Sequence, residues 1–581
     1  MLKKNGNYLL LLSMIIYLPT CASMDLSRNH PSQIPLPYEK IDEIDEGNSL
    51  AYYHFSLAQL YEKEGKIDSA VREYTLALNY DKDSPALRTH LALMYIKKGA
   101  LQNAIHECQR AIATDPRYVP SRLLLGGLYS GTGNDRAAIR EYERAIEIDP
   151  ENKESYLLVG ALYAKIKEYE KSIASLKRLL EIEPDSAMGH YYLGRVYAQI
   201  KLFKEAESHY RKARSIRPRF VAPLIELGVI YELQGENDKA IGTYEVILGI
   251  NPLELLTLNR LGHLYLKQNK FEKALEQFDK LKKLDSDNKE VRITIGLIHF
   301  EQKRYEEAIA ELNSILTDDP NSHKVRYYLG VVYEEKEELE KAIEEFKKIP
   351  LESKFFPDSQ IHIGYILDKQ QNRKDAIEVI KEAIKKKGAN VSLYRAVASL
   401  YEKDKDYANS IESLKKALKL RPNDATLHYS LGIIYDKAGD RKKGIEQMKE
   451  VLRLDPENAS AMNYIGYTYA EKGINLDEAE RLIKKALEIK PEDGYITDSL
   501  GWVYYKKGRI DDAINELERA AKLAPEDPVI AEHLGDAYLK SSKRDKALAM
   551  YEKALKLDPD KEILREKIRL IQEEQIKGNT K

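Results

Sequence analysis

The side chains of this chain that could do chemistry are few: two cysteines, twelve histidines and a single tryptophan, set among forty tyrosines. A thiolate metal site needs paired cysteines, and Cys21 and Cys108 lie far apart in the chain. No two histidines stand in an HExxH pair, so no zinc ligand set is expected. Gly126 and Gly127 with Gly131 and Gly133 have the glycine density of a phosphate-cradling loop. No Lys-Ser or Lys-Thr pair follows them and no strand-like run precedes them, so they are assigned to helix crossing and turn instead. A Gly-x-Ser-x-Gly nucleophile elbow is absent. Catalytic residues, metal ligands and cofactors are therefore all expected to be none, and the chain is expected not to be an enzyme. Recognition remains, because tyrosine and tryptophan carry a large apolar body with a polar tip.

The elements that must position those side chains announce themselves by a period. Glycines fall at Gly126, Gly160, Gly194, Gly228, Gly262, Gly296, Gly330 and Gly364, then resume at Gly432, Gly466, Gly501 and Gly535. The interval of 34 residues marks an array of helical hairpins. In the unit spanning 119 to 152, Leu125, Gly126 and Tyr129 sit on a first helix, Gly133 at the turn, and Ala138, Tyr142 and Ala145 on a second helix closed by Pro150. Gly126 and Ala138 are small because two helices cross closely only where neither carries bulk. Pro150 stops the second helix from continuing. Cys108 falls at a second-helix core position and is expected to be buried filler.

This spacing resembles the tetratricopeptide repeat. The resemblance implies an all-α fold: a right-handed α-solenoid of about fifteen helical hairpins plus a C-terminal capping helix. The register gives units starting at 51 and every 34 residues to 459, then at 494 and 528 after one extra residue. Tyr129, Tyr163 and Tyr197 illustrate a tyrosine site that His299 and Leu367 break. The expected divisions are a signal segment 1–21, a tether 22–50, arrays 51–349 and 350–561, and a capping helix and tail 562–581. Pro350 interrupts a second helix, Gly388 replaces a closing proline, and 350–357, with Phe355 and Phe356 as loop residues, is either a hinge or an irregularity within a continuous array.

At the N-terminus, Lys3 and Lys4 precede an apolar run from 8 to 18. That run is too short to cross a bilayer core of about 30 Å and reads as the apolar region of a secretory signal. Leu18-Pro19-Thr20-Cys21 resembles the lipobox of bacterial lipoproteins, which implies lipidation at Cys21 and an envelope location facing the periplasm, anchored in the outer membrane. Pro19 and Thr20 depart from that motif, so processing near Ala22 with secretion or a soluble periplasmic location stays open. The polar, proline-bearing stretch to residue 50 would span about 25 to 30 Å as a flexible tether.

By the resemblance, the first helices form the concave wall, and their inward positions carry Tyr191, Tyr192, Arg195, Asn259, Arg260, Tyr327, Tyr328, Tyr365, Tyr429, Asn463, Tyr467, Asp498, Trp502, His533 and Asp536. Trp502 follows Gly501 and is expected to be exposed as a contact residue. The partners expected are proteins or peptides. A formal net charge of only -2 argues against nucleic acid, and no small-molecule substrate is expected. The last three units resemble those of large bacterial lipoproteins that adapt substrates to a periplasmic carboxyl-terminal processing protease. An assembly factor for a pilus, secretion or polysaccharide-export machine is the alternative reading. A cytosolic co-chaperone is the third, although no three units carry the Lys-Asn-Asn-Lys-Arg clamp of that group.

Overall fold

A computed structural model describes residues 46–579, with side chains from 49 to 573. The described residues contain no strand, and 31 helices follow one another from Glu46–Lys63 to Glu562–Asn579. First helices open at the expected register, for example Val119–Gly131, Ala459–Lys472, Gly494–Lys506 and Pro528–Lys540. The opening helix starts at Glu46, inside the stretch that composition assigns to the tether. Cys21, the apolar run and the remainder of the tether lie outside the described residues.

Local chemistry fixes the hairpins. Asn152, Ser186, Asn390, Asp424, Asn458, Asp493 and Asp527 stand at N-caps of first helices, each accepting from a backbone N–H of the first turn. The turn inside each hairpin needs a left-handed residue, which Gly133 supplies at φ 81° and Gly439 at φ 83°. Lys303 and Lys405 hold the same conformation at φ 59° and 60° without a glycine's freedom.

Each periodic glycine faces one large side chain of its own hairpin's second helix. A Cβ on Gly262 would stand 2.7 Å from Phe278 Cζ, and one on Gly535 would stand 2.6 Å from Tyr551 Cε1. Tyr210, Tyr244 and Tyr551 fill the same place and are wholly buried.

Neighbouring hairpins are joined by a second periodic device. Tyr163, Tyr265 and Tyr538 each donate a hydroxyl hydrogen bond to the glutamate twenty residues earlier, Glu143, Glu245 and Glu518. Lys171, Lys273 and Lys546, eight residues later, place their ammonium groups over the same rings, 5.3 to 5.5 Å from the centroids.

The chain divides into two compact units whose boundary falls between Ser286 and Asp287. Within the second unit, Leu339–Lys347 has 9 residues where the other second helices have 14 or 15, so the helix stops ahead of Pro350 as expected. Apolar packing continues through this stretch: Phe346, Ile349, Phe356, Ile363 and Ile380 belong to one buried cluster. Phe356 is therefore a buried first residue of its helix rather than a loop residue, and Gly388 ends the following helix at φ 87°. The register's extra residue falls in the turn at Gly473 and Asn475, both left-handed. The last helix covers its neighbours through Leu564 and Ile571, with Ile568 beside them, while Ile563 and Leu570 face solvent.

Candidate functional site

The second unit holds a cleft of about 470 Å³ walled by first helices of successive hairpins. Tyr429 comes from Ala425–Lys437; Ser460, Asn463, Tyr464 and Tyr467 from Ala459–Lys472; Tyr495, Ile496, Asp498 and Ser499 from Gly494–Lys506; Val529 and Ile530 from Pro528–Lys540. The two capping aspartates, Asp493 and Asp527, complete the lining. Four of the sequence-derived candidates, Tyr429, Asn463, Tyr467 and Asp498, thus meet in one place.

Hairpin geometry explains the convergence. The glycine of each first helix is turned to its own second helix, so the residues three before it and one after it, Asn463 and Tyr467 around Gly466, take the other side. Asp493 and Asp527 are held as N-caps, each using one carboxylate oxygen for two backbone N–H groups, at 3.0 and 3.1 Å for Asp493 and at 2.8 and 3.0 Å for Asp527. The side-chain oxygen of Asn463 is withdrawn from solvent without a donor. Burial, reinforced by the nearby charges of Glu471 and Asp498, holds the Tyr467 hydroxyl protonated far above its ordinary range.

Behind that wall lies a packed polar and aromatic layer. His533 Nδ1 sits 3.0 Å from both carboxylate oxygens of Asp498, and the two residues are 6% and 5% exposed. The His533 ring stacks on Trp502 at 4.0 Å between centroids, and Tyr505 stacks there at 4.7 Å. Trp502 Nε1 donates to Glu471 at 2.8 Å. Trp502 is only 7% exposed, which corrects the expectation of an exposed contact residue: flanking rings and a carboxylate acceptor satisfy both its apolar body and its N–H. Asp536 is likewise engaged, accepting from Tyr551 and Lys567.

A second cleft of about 460 Å³ in the same unit brings Tyr365 beside Ser392, Arg395 and Glu402, and Tyr429 belongs to both. Tyr365 is 40% exposed and available. Tyr327 is a correction, being buried, stacked on Phe355 at 5.3 Å and hydrogen-bonded to His362; Tyr328 packs half-buried beside it.

In the first unit, Tyr192 is also buried in the core rather than presented, while Tyr191 is half-buried and Arg195 lies 5.7 Å over its ring and 3.7 Å from Glu226. Arg260 pairs with Glu232 at 3.0 Å, next to a half-buried Asn259. Cys108 is fully buried as expected, and burial pushes its thiol up to about 12.

Sequence reasoning missed Asp493, Tyr495 and Asp527. Their signal is the cap pattern itself, Asp-Gly and Asp-Pro at the first-helix starts, which places a carboxylate at the mouth of each inter-helix groove. Among the described residues no group of three metal-ligating side chains stands together, and no helix is long and apolar enough to cross a membrane.

A family model described as "Tetratricopeptide repeat" matches residues 55–119, 123–187, 168–220, 259–323, 429–494 and 499–562, more than half of the chain. Related models match 224–254, 299–362 and 403–439. No curated protein matches. Similar solved structures include MamA, at 26% identity over 28% of this chain and 95% of that one, with a TM-score of 0.27. A tetratricopeptide repeat protein from Parabacteroides merdae ATCC 43184 is 17% identical over 43% of this chain and 99% of that one, with a TM-score of 0.36. YrrB, titled a TPR protein with an unusual peptide-binding site, is 19% identical over 32% and 95%, with a TM-score of 0.28.

Proposed function

Since this chain belongs to the tetratricopeptide repeat family, whose repeats serve as protein-interaction scaffolds, we propose that it works without catalysis, holding an extended segment of a partner in the cleft of its second unit. One observation carries the reading: first helices of successive hairpins bring Tyr429, Asn463, Tyr467 and Tyr495 around one open cleft instead of burying them in the core. Aromatic walls give contact area at low entropic cost. Tyr495 stands 61% exposed at this cleft, leaving most of its surface open to a partner.

The finer reading places the scaffold in a bacterial envelope, tethered through Cys21, where it presents bound segments to a periplasmic protease. The sequence around Cys21 and the C-terminal repeats support it. Labelled palmitate tests the anchor: incorporation that persists in a Cys21→Ser protein would remove it. For the cleft, a photo-crosslinking residue at position 495 is expected to capture a partner, and Tyr467→Ala together with Tyr429→Ala is expected to abolish capture at unchanged helical content. Undiminished capture by that double variant would sink the reading.

A further inference from the structure

Charge in this chain is balanced overall, 92 basic against 94 acidic side chains, and acidic groups are widely met by cations. Lys507, for example, is 2.6 Å from Asp477 and 2.7 Å from Glu480, and Lys567 is 2.6 Å from Asp536. The cleft departs from that pattern. Asp493, Asp498 and Asp527 line it, and among the described residues no lysine, arginine or histidine does. Among the described residues Asp493 and Asp527 form no ion pair, and each spends one oxygen on its helix cap, the other having no hydrogen-bond partner among them. Asp498 is met from behind by His533. Arg441 is the cation that acts on Tyr464 and Tyr467, and it is engaged by Asp436 at 3.2 Å. The potential inside such a cleft is negative, and its low-dielectric walls concentrate it.

We propose that the segment held in this cleft is basic, an extended stretch of protein that presents a lysine or arginine side chain to Asp493 and Asp527. The inference rests on the reading of this cleft as the partner site. The aspartates supply the charge complement, and the faces of Tyr429, Tyr467 and Tyr495 cover the aliphatic stem and attract the cation. An acidic segment is rejected by the same geometry, because it would bring like charge against Asp493 and Asp527, which share no cation among the described residues.

The test is selection of phage-displayed random heptapeptides on the full chain, repeated on Tyr495→Ala, on Tyr467→Ala and on the double variant Asp493→Asn with Asp527→Asn. Asparagine caps a helix as well as aspartate, so the double variant removes charge and keeps the fold; circular dichroism verifies this. Peptides whose enrichment is lost with Tyr495→Ala or Tyr467→Ala are expected to carry Lys or Arg at one fixed position. Synthetic versions are expected to bind the double variant about 10-fold more weakly, and to lose affinity as salt rises from 50 to 500 mM, concentrations set around the screening range. If tyrosine-dependent peptides show no basic preference, or bind the double variant unchanged, the inference falls and the cleft reading stands. If no enriched peptide depends on either tyrosine, both fall.

Discussion

Trp502 shows how a side chain suited to recognition becomes a structural one. Its ring lies against His533 and Tyr505 and its N–H reaches Glu471, so its polar tip is already satisfied within the protein. Trp502→Phe should keep the stack and lose the hydrogen bond, destabilising the second unit by about 1 to 3 kcal/mol because Glu471 loses its donor. Trp502→Ala should cost about 3 to 5 kcal/mol. Urea denaturation measures both, and an unchanged midpoint for Trp502→Ala would contradict the burial. The burial also predicts weak acrylamide quenching of the native tryptophan emission. A glycine next to a binding wall indicates which way a neighbour points, but not whether the following repeat will cover it. Here the following repeat supplies His533, and the tryptophan is covered.

At the scale of the element, the hairpin turn carries a demand that the side chain does not always suit. Lys405 takes a left-handed conformation, at φ 60°, where Gly439 in the next hairpin has a glycine. Lys405→Gly should stabilise the second unit by a few tenths to about 1 kcal/mol, since relief of the backbone strain outweighs the extra freedom of the unfolded chain. A lower melting temperature for that variant would refute the strain. The last helix, Glu562–Asn579, has the opposite role, shielding the final hairpin through Leu564, Ile568 and Ile571 and bringing Lys567 to Glu532 and Asp536. Removing residues 562–581 should lower the melting temperature and promote self-association, read by light scattering, because terminal repeats need a polar outer face. Its amphipathic pattern was legible in the sequence. Which of its apolar residues turn inward was not, because a terminal helix with apolar side chains at 563, 564, 568, 570 and 571 can be rotated to bury more than one set.

On the scale of the whole molecule, a repeat array need not lose its structure in one step, and acid should separate the two units. In the first, His190 Nδ1 and His209 Nδ1 lie 2.9 Å apart, where hairpins elsewhere join Arg122 to Glu141 or Arg326 to Glu345. With His190 Nε2 donating to the Pro184 carbonyl, its neutral Nδ1 can accept from His209. Burial first, and the charges of His190 and Lys177 after it, lower His209 to about 4. A histidine depressed in the fold contributes stability that is present above its unfolded pKa, about 6.5, and is lost as pH falls toward 4. In the second unit, burial works against Glu480, but hydrogen bonds and charge from Lys484 and Lys507 prevail and lower it to about 2. Its contribution is present above the unfolded value near 4.3 and is lost as pH falls toward about 2. Hydrogen exchange across pH 7 to 3 should therefore show the hairpins around His209 loosening before those around Glu480, and His209→Gln should remove the earlier step. Simultaneous loosening would count against this order. The sequence by itself determined the hairpin, its length, its glycine crossing and its turn, because each depends on residues within one repeat whose spacing the 34-residue period exposes. Only the tertiary structure decided that Tyr192, Tyr327 and Trp502 are interior while Tyr365, Tyr429, Tyr467 and Tyr495 remain in or beside clefts. The physical reason is that exposure at an inward position is set by the side chains of the next hairpin, and those side chains are what the repeat leaves free to vary.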